Sequence, residues 1–165
     1  MNQDFILDLF YSLNGNLDQI NAAIDAKLNR TGYRKITTFE LFIKSRISRN
    51  AKVLKMANME INPNEAAYLS LYPDLSGLEV LDLRKNFLGD TGFQAIARSP
   101  VLKNIKELDL RNNQITRVGL EVFAKETPMT QLEKIDLRSN KLGTRWQDKL
   151  KECGRFPHLR EVKTL

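Results

Sequence analysis

Hydrophobic positions in the second half of the chain recur with a period of 27 residues. Leu78, Ile105, Leu132 and Leu159 stand at this spacing. Each of the first three is followed by apolar residues at +3, +5 and +10. The alternation from +3 to +5 is typical of a short β-strand, because successive side chains of a strand point to opposite faces. An asparagine follows at +8 in each of these three segments: Asn86, Asn113 and Asn140.

The segments between these strands have the apolar spacing of helices. They read DTGFQAIARS, RVGLEVFAKE and TRWQDKLKEC. Pro100 and Pro128 are expected to end the first two helices. A repeated strand and helix predicts an α/β solenoid with a parallel sheet on its concave side and helices on its convex side. The three asparagines are predicted to form a structural ladder, because a side-chain amide both donates and accepts hydrogen bonds in the turn.

The same period extends upstream in a weaker form. Apolar residues, Ala51 among them, occupy the repeat positions of residues 51–77, but Met59 replaces the asparagine. Residues 1–50 lack the repeat and read as three amphipathic helices, DFILDLFYSL, LDQINAAIDAKL and TTFELFIKSRI. We therefore predict a helical N-terminal cap over 1–50 and a solenoid over 51–165. The solenoid divides into a degenerate repeat at 51–77, repeats at 78–104, 105–131 and 132–158, and a closing strand at 159–165.

The repeat fits the pattern LxxLxLxxNxL, written here as LEVLDLRKNFL, IKELDLRNNQI and LEKIDLRSNKL. In this it resembles leucine-rich repeat proteins. The strand-and-helix form at this period looks like the ribonuclease-inhibitor-like subclass. The segment LGDTGFQAIARSPVLKNIKELDL is similar to bacterial members with GDxGxxAxAxSPxL repeats. The resemblance implies a short curved solenoid that binds a macromolecule, usually a protein, on its concave sheet, and it implies no chemistry.

The outward positions of the strands carry charged residues at matching repeat positions, which predicts columns of charge along the sheet. The candidate binding residues are Asp82, Arg84, Glu107, Asp109, Arg111, Lys134, Asp136 and Arg138. Like charges about 4.8 Å apart repel each other, but each arginine can pair with an aspartate of its own strand or a neighbouring one. Two interpretations stay open from the sequence: a solvated ladder that discourages edge pairing, or a face that binds a polar protein partner.

The net charge of +6 lies mainly in one early segment. Residues 27–55 contain nine basic residues and one acidic residue, whereas the repeats are close to neutral. An aromatic ring among basic residues can stack on a base while the charges hold phosphates. A nucleic-acid-binding adaptor, or a site for an acidic protein, is therefore the alternative function, and a solvated helix face is the simpler interpretation. The residues concerned are Arg30, Tyr33, Arg34, Lys35, Arg46, Arg49 and Lys52.

Few residues could support catalysis or metal binding. Cys153 and His158 are the only cysteine and histidine, and the chain has no Gly-rich phosphate loop. We therefore expect a non-enzymatic scaffold or adaptor with no catalytic residues, no metal and no cofactor. The N-terminus lacks a signal-peptide pattern and no stretch is apolar enough to span a bilayer, which predicts a cytoplasmic protein that binds no membrane. Secretion by a non-classical route stays open. A monomer is expected, with a dimer through the last strand as the alternative.

Overall fold

Five short strands pair in chain order into one parallel sheet. The computed structural model describes residues 3–164 and places the strands at Val53–Lys55 (β1), Val80–Asp82 (β2), Glu107–Asp109 (β3), Lys134–Asp136 (β4) and Glu161–Lys163 (β5). Every pairing joins residues one repeat apart, as Leu81 joins Leu108. The period in the sequence is therefore the register of the sheet, and the predicted α/β solenoid is confirmed.

A helix follows each of the first four strands. Within residues 3–164 the α-helices are Gln3–Ser12 (α1), Leu17–Leu28 (α2), Ile36–Ile47 (α3), Pro63–Leu71 (α4), Gly89–Ala97 (α5), Arg117–Glu126 (α6) and Trp146–Glu152 (α7), with a short 3-10 turn at Pro73–Leu75. Asn16 caps α2 through a bond from the Gln19 amide, because its side chain accepts one of the orphan donors of the first turn. Helices α5 and α6 both end before the prolines that were predicted to stop them.

The core lies between the sheet and the helices. The middle residue of each strand is buried, and so are the apolar residues of the helices that face it. Phe93, Phe123 and Phe156 come from successive repeats and stack with ring centroids 5.3 and 5.2 Å apart. Aromatic rings bury large apolar areas, so this column stabilises the contact between one repeat and the next. The degenerate repeat joins the same core, but Ala51 is exposed, contrary to its predicted place, because the chain turns there before β1.

The equal spacing of the asparagines places them in a ladder of side-chain hydrogen bonds between repeats. Asn86 is buried, and its Oδ1 accepts hydrogen bonds from the amides of Met59 and Ile61, each 3.0 Å away. Its Nδ2 donates to the carbonyls of Met56 and Leu83. Each asparagine therefore satisfies backbone groups of the preceding repeat as well as its own.

Each asparagine bonds the repeat before it, which explains why the first repeat has no asparagine. Position 59 has no earlier repeat beneath it, so Met59 forgoes no ladder bond. The ladder is also incomplete at Asn113, whose Nδ2 donates to three carbonyls while its buried Oδ1 has no partner within residues 3–164. Helix α5 begins at Gly89, one repeat position earlier than α4 and α6, and the Gly89 amide bonds the Asn113 backbone carbonyl instead.

A buried polar network joins the N-terminal helices to the first repeat. Glu40 on α3 accepts hydrogen bonds from Asn21 Nδ2 at 2.7 Å and from the Tyr72 hydroxyl at 3.0 Å. Asn21 in turn accepts the Tyr68 hydroxyl at 2.7 Å, and Lys44 pairs with Glu40 at 2.9 Å. Burial raises the pKa of Tyr68 and of Tyr72, and the hydrogen bond to Glu40 raises the pKa of Lys44. Buried polar groups are stable only when paired, so these bonds fix how the N-terminal helices meet the solenoid.

A glycine in α6 allows successive helices to approach closely. A Cβ placed on Gly119 of α6 would lie 2.7 Å from Asp90 Oδ1 and 2.9 Å from Phe93 Cδ1, both on α5. The same Asp90 carboxylate accepts the amides of Thr116 and Gly119, and therefore caps the N-terminus of the neighbouring helix. Helix-to-helix spacing along the solenoid thus depends on the missing side chain at position 119.

Candidate binding face

The residues that flank the middle of each strand point away from the helices and line a shallow groove across all five strands. We call this surface the open face. It comprises Lys55, Val80, Asp82, Glu107, Asp109, Lys134, Asp136, Glu161 and Lys163, together with Arg84, Arg111 and Arg138 at the ends of the strands. All eight residues predicted as a binding site therefore lie on one surface. Their role in binding stays a prediction.

The register of the sheet sets the charges in columns. Asp82, Asp109 and Asp136 are direct neighbours on adjacent strands. The register continues this column to Lys163 at one end and to Lys55, which pairs with Asp82, at the other, and the sequence analysis did not include Lys55. Counting the period back by one repeat would have found it. The acidic column is therefore bounded by a lysine at each end.

Each arginine pairs with the aspartate of its own strand. Arg111 Nη2 lies 2.6 Å from Asp109 Oδ2, and Arg138 Nη2 lies 2.7 Å from Asp136 Oδ2. A longer contact of 3.5 Å joins Arg111 Nε to Asp136 on the next strand. These pairs offset the repulsion within the aspartate and arginine columns, as the sequence predicted.

The aspartates also have a backbone role that the sequence analysis missed. One carboxylate oxygen of each accepts the backbone amide two residues on, at 3.2 Å for Arg84 and Arg111 and 3.1 Å for Arg138. Aspartate side chains commonly accept hydrogen bonds from nearby backbone amides in turns. Burial pushes the pKa of Asp136 up, but hydrogen bonds from Arg138 outweigh burial and leave the pKa below its usual value. The Asp136 carboxylate is thus held ionised, and all three carboxylates are oriented by backbone amides of their own repeat.

A second pair lies on the adjacent column. Lys134 Nζ is 2.7 Å from Glu107 Oε1 on the neighbouring strand, and both side chains are about half exposed. The hydrogen bond from Glu107 raises the pKa of Lys134. Because both groups are accessible and form an ion pair only with each other within residues 3–164, a partner can contact them without unfolding the sheet.

A row of alternating charge lies immediately before the strands and was not recognised in the sequence. It consists of Lys52, Glu79, Lys106, Glu133 and Arg160, each one repeat from the next. Glu79 contacts Lys52 at 2.7 Å and Lys106 at 2.8 Å. Hydrogen bonds from Lys106 and then Lys52 lower the pKa of Glu79 to about 2. At this side of the sheet the charges neutralise each other.

The lowered pKa of Glu79 predicts a loss of stability in acid. Because the folded-state pKa is below the unfolded value of roughly 4.3, the stabilisation is complete above that pH and is lost as the pH falls toward about 2. Glu79→Gln should therefore give a shallower dependence of unfolding midpoint on pH between roughly pH 5 and 2. Urea titrations at several pH values measure it. Glu121→Gln is the control, because Glu121 is exposed and makes no ion pair within residues 3–164. An equal slope in wild type and Glu79→Gln would contradict the prediction.

Three of the seven candidate residues in the basic segment are occupied by intramolecular contacts. Arg34 Nε lies 2.7 Å from the buried Glu65 carboxylate, and its Nη1 donates to the Met59 carbonyl at 3.1 Å. Arg46 donates to the carbonyls of Lys55 and Phe42. Arg34 and Arg46 thus join the N-terminal helical region to the first repeat, whereas Lys52 joins the first repeat to the second through Glu79.

The other members of the segment do not form a shared surface feature. Arg30, Tyr33, Lys35 and Arg49 are exposed and make no ion pair within the described part of the chain. They lie on two loops separated by the length of α3. No observation gives the nucleic-acid hypothesis a positive reason beyond the charge already visible in the sequence.

Comparison with protein families identifies the repeats. A model described as two copies of leucine-rich repeats matches residues 103–152, and a model of a single leucine-rich repeat matches residues 78–97. Residues 78–97 and 103–152 thus match leucine-rich repeats. Leucine-rich repeat domains generally mediate protein–protein interaction, and solenoids of this kind present extended surfaces for it. No curated protein matches the chain.

The alternation of strand and helix extends further in the structure than these matches. Residues 51–77 lie outside both models, yet β1 pairs with β2 in the register of the other strands and α4 follows it. Within residues 3–164 no helix has the length and apolar character needed to cross a membrane. The same residues include no group of three or more histidine, cysteine or acidic side chains placed to hold a metal ion.

Proposed function

We propose that this leucine-rich repeat protein is a non-enzymatic module that binds a protein partner on its open face. The observation that carries the proposal is the accessible sheet surface with charged columns in register, since a patterned polar surface gives a partner both specificity and steering. The residues proposed to contact the partner are Asp82, Arg84, Glu107, Asp109, Arg111, Lys134, Asp136 and Arg138. The described residues contain no arrangement of a nucleophile and base that would suggest catalysis.

We further assign the repeats to the ribonuclease-inhibitor-like subclass as a proposal. It is supported by the return segments of the repeats at 78–104 and 105–131, which are α-helices of 9 and 10 residues. The period of 27 residues is long enough to contain a strand, two turns and such a helix. A predicted cap over residues 1–50 and the repeat boundaries given above also remain proposals.

The binding proposal is tested by reversing an ion pair on the open face without breaking it. The double variant Glu107→Lys with Lys134→Glu keeps the two charges adjacent and the net charge unchanged, but presents the opposite pattern to a partner. We expect partner binding to weaken by about tenfold or more, because like charges then face each other across the interface. Tagged protein would be used for affinity capture from a nuclease-treated lysate, and captured proteins would be quantified and titrated.

The matched control reverses an ion pair on the helical side. Arg98 and Glu126 are 2.6 Å apart and are exposed to a similar degree, so Arg98→Glu with Glu126→Arg makes the same change away from the open face. Equal loss of binding in the two double variants would overturn the assignment of the binding face. Capture that disappears after nuclease treatment would instead favour nucleic acid. Thermal unfolding of both variants checks that neither effect comes from misfolding.

A further inference from the structure

The arginine side of the open face differs from the groove over the strands in its balance of charge. A second groove lies beside the ends of the strands and is lined by the cations Arg84, Lys85 and Arg111. The residues between them, among which are Ala57, Asn112 and Ser139, are small or polar, and no carboxylate lines the groove. We call it the arginine groove. It contrasts with the groove over the strands, where aspartates and glutamates outnumber lysines.

Arg84 and Arg111 line the groove, and Arg138 continues their column one repeat further along the sheet. Their guanidinium groups are oriented by aspartates, but not all of their donors are used. Arg111 and Arg138 bond their aspartates through Nε and Nη2, and neither Nη1 has a hydrogen-bond partner within residues 3–164. Arg84 touches Asp82 only through Nε, at 3.4 Å. Guanidinium groups carry five donors in a fixed plane, so those that remain are held toward the solvent. Ordering before binding reduces the entropy that a partner must overcome.

The spacing of the arginines is set by the sheet. Arg84, Arg111 and Arg138 follow the three central strands, whose backbones lie about 4.8 Å apart. An α-helix presents side chains of one stripe about every 5.4 Å. Over two intervals this spacing differs from that of the strands by only about 1.2 Å. An extended chain presents side chains of one face about every 6.7 Å, a mismatch of about 3.8 Å over the same distance. Long, flexible arginine side chains can adjust to the mismatch with a helix far more easily than to the mismatch with an extended chain.

We propose that the arginine groove binds an α-helix of a protein partner that carries acidic residues along one stripe, at i, i+4 and i+7 or the equivalent spacing. The helix lies along the solenoid, across the strands, with its carboxylates on Arg84, Arg111 and Arg138. This inference rests on the proposed function, because it names the element of the partner that the open face accepts. Small side chains at Ala57, Asn112 and Ser139 leave room for the helix to approach.

Two synthetic peptides of about 18 residues and identical composition provide the test, a length at which isolated helices become stable. In one, four glutamates occupy a single stripe of an alanine- and glutamine-rich helix; in the other, the same glutamates point to different sides. Fluorescence anisotropy with the full chain should give about tenfold tighter binding of the stripe peptide, as expected if three exposed ion pairs contribute roughly twofold each. Proline substitution in the middle of the stripe peptide should abolish the preference, because it breaks the helix.

Variants locate the effect. Arg111→Gln should remove most of the preference for the stripe peptide, whereas Lys103→Gln makes the same charge change on an exposed residue at the opposite end of β3 and should preserve it. Equal affinity of the two peptides, or no binding of either, would overturn the helix assignment. An oligonucleotide of equal charge that binds the groove more tightly than the stripe peptide would overturn it in favour of nucleic acid.

These results can be told apart from failure of the proposed function. If the Glu107 and Lys134 reversal abolishes partner capture while the peptides show no preference, the open face binds a protein but not through an acidic helix. If the reversal leaves capture unchanged, the open face itself is not the binding surface. Both measurements use the same full-length chain and the same folding control.

Discussion

Replacing Asn86 by alanine is expected to lower the free energy of unfolding by about 3 to 5 kcal/mol. The substitution leaves the amides of Met59 and Ile61 and the carbonyl of Met56 without the side-chain partner they have in the native fold. Asn86 is buried, so water cannot replace these bonds without opening the turn. Equilibrium urea unfolding would measure the change as a shift of the midpoint.

The control for Asn86 is the corresponding position of the first repeat. Met59→Asn introduces the residue that the repeat pattern calls for, but no earlier repeat is present for it to bond. We expect it to change the free energy of unfolding by less than about 1 kcal/mol in either direction. A cost for Asn86→Ala below about 1 kcal/mol would show that the ladder bonds are not a major source of stability.

Replacing Glu40 by alanine is expected to cost about 2 to 4 kcal/mol. Asn21 Nδ2 and the Tyr72 hydroxyl both donate to this carboxylate, and both side chains are buried. Without the acceptor, two buried donors lose their partners, and each such loss costs about 1 to 3 kcal/mol. The loss falls at the contact between the N-terminal helices and the first repeat. Relative to wild type, Glu40→Ala should therefore speed hydrogen exchange of backbone amides more in α2 and α3 than in the strands.

Leu41 gives the matched control on the same helix. It is the next residue after Glu40, and its side chain is 64% exposed. Leu41→Ala is expected to change the free energy of unfolding by less than about 0.5 kcal/mol. A similar destabilisation by Leu41→Ala and Glu40→Ala would mean that the helix itself, rather than the buried network, determines the effect.

The sequence was sufficient for the fold because the repeat period is a physical register. Residues one period apart occupy neighbouring strands, so the spacing of Leu78, Ile105, Leu132 and Leu159 implies parallel pairing without any further assumption. The helices were also predictable, since their apolar spacing is local information. The same reasoning brought Asp109 and Arg111 to one surface, and the structure places them there.

Contacts outside the period could not be obtained in this way. The Glu40 network joins helices that do not repeat, and its partners are 19 to 47 residues apart. Arg34 was grouped with the basic surface by charge, yet it pairs with Glu65, because charge alone does not reveal which cations a fold uses internally. The backbone role of the aspartates could not be predicted for a different reason. The sequence is the same whether an aspartate before a turn contacts a partner or accepts a nearby backbone amide of its own chain.

In the asparagine ladder, backbone amides of one repeat depend on the asparagine of the next repeat. Asn140 accepts the amides of Asn113 and Ile115, just as Asn86 accepts those of the repeat before it. Removing a later repeat therefore takes a side-chain acceptor from backbone amides of the one before it. Removing the earliest repeat instead takes the Met56 carbonyl from the Asn86 side chain. Loss of the repeat that carries Asn140 should therefore loosen the turn of the repeat before it, and a copy of that repeat inserted in register would carry the acceptor that its predecessor needs.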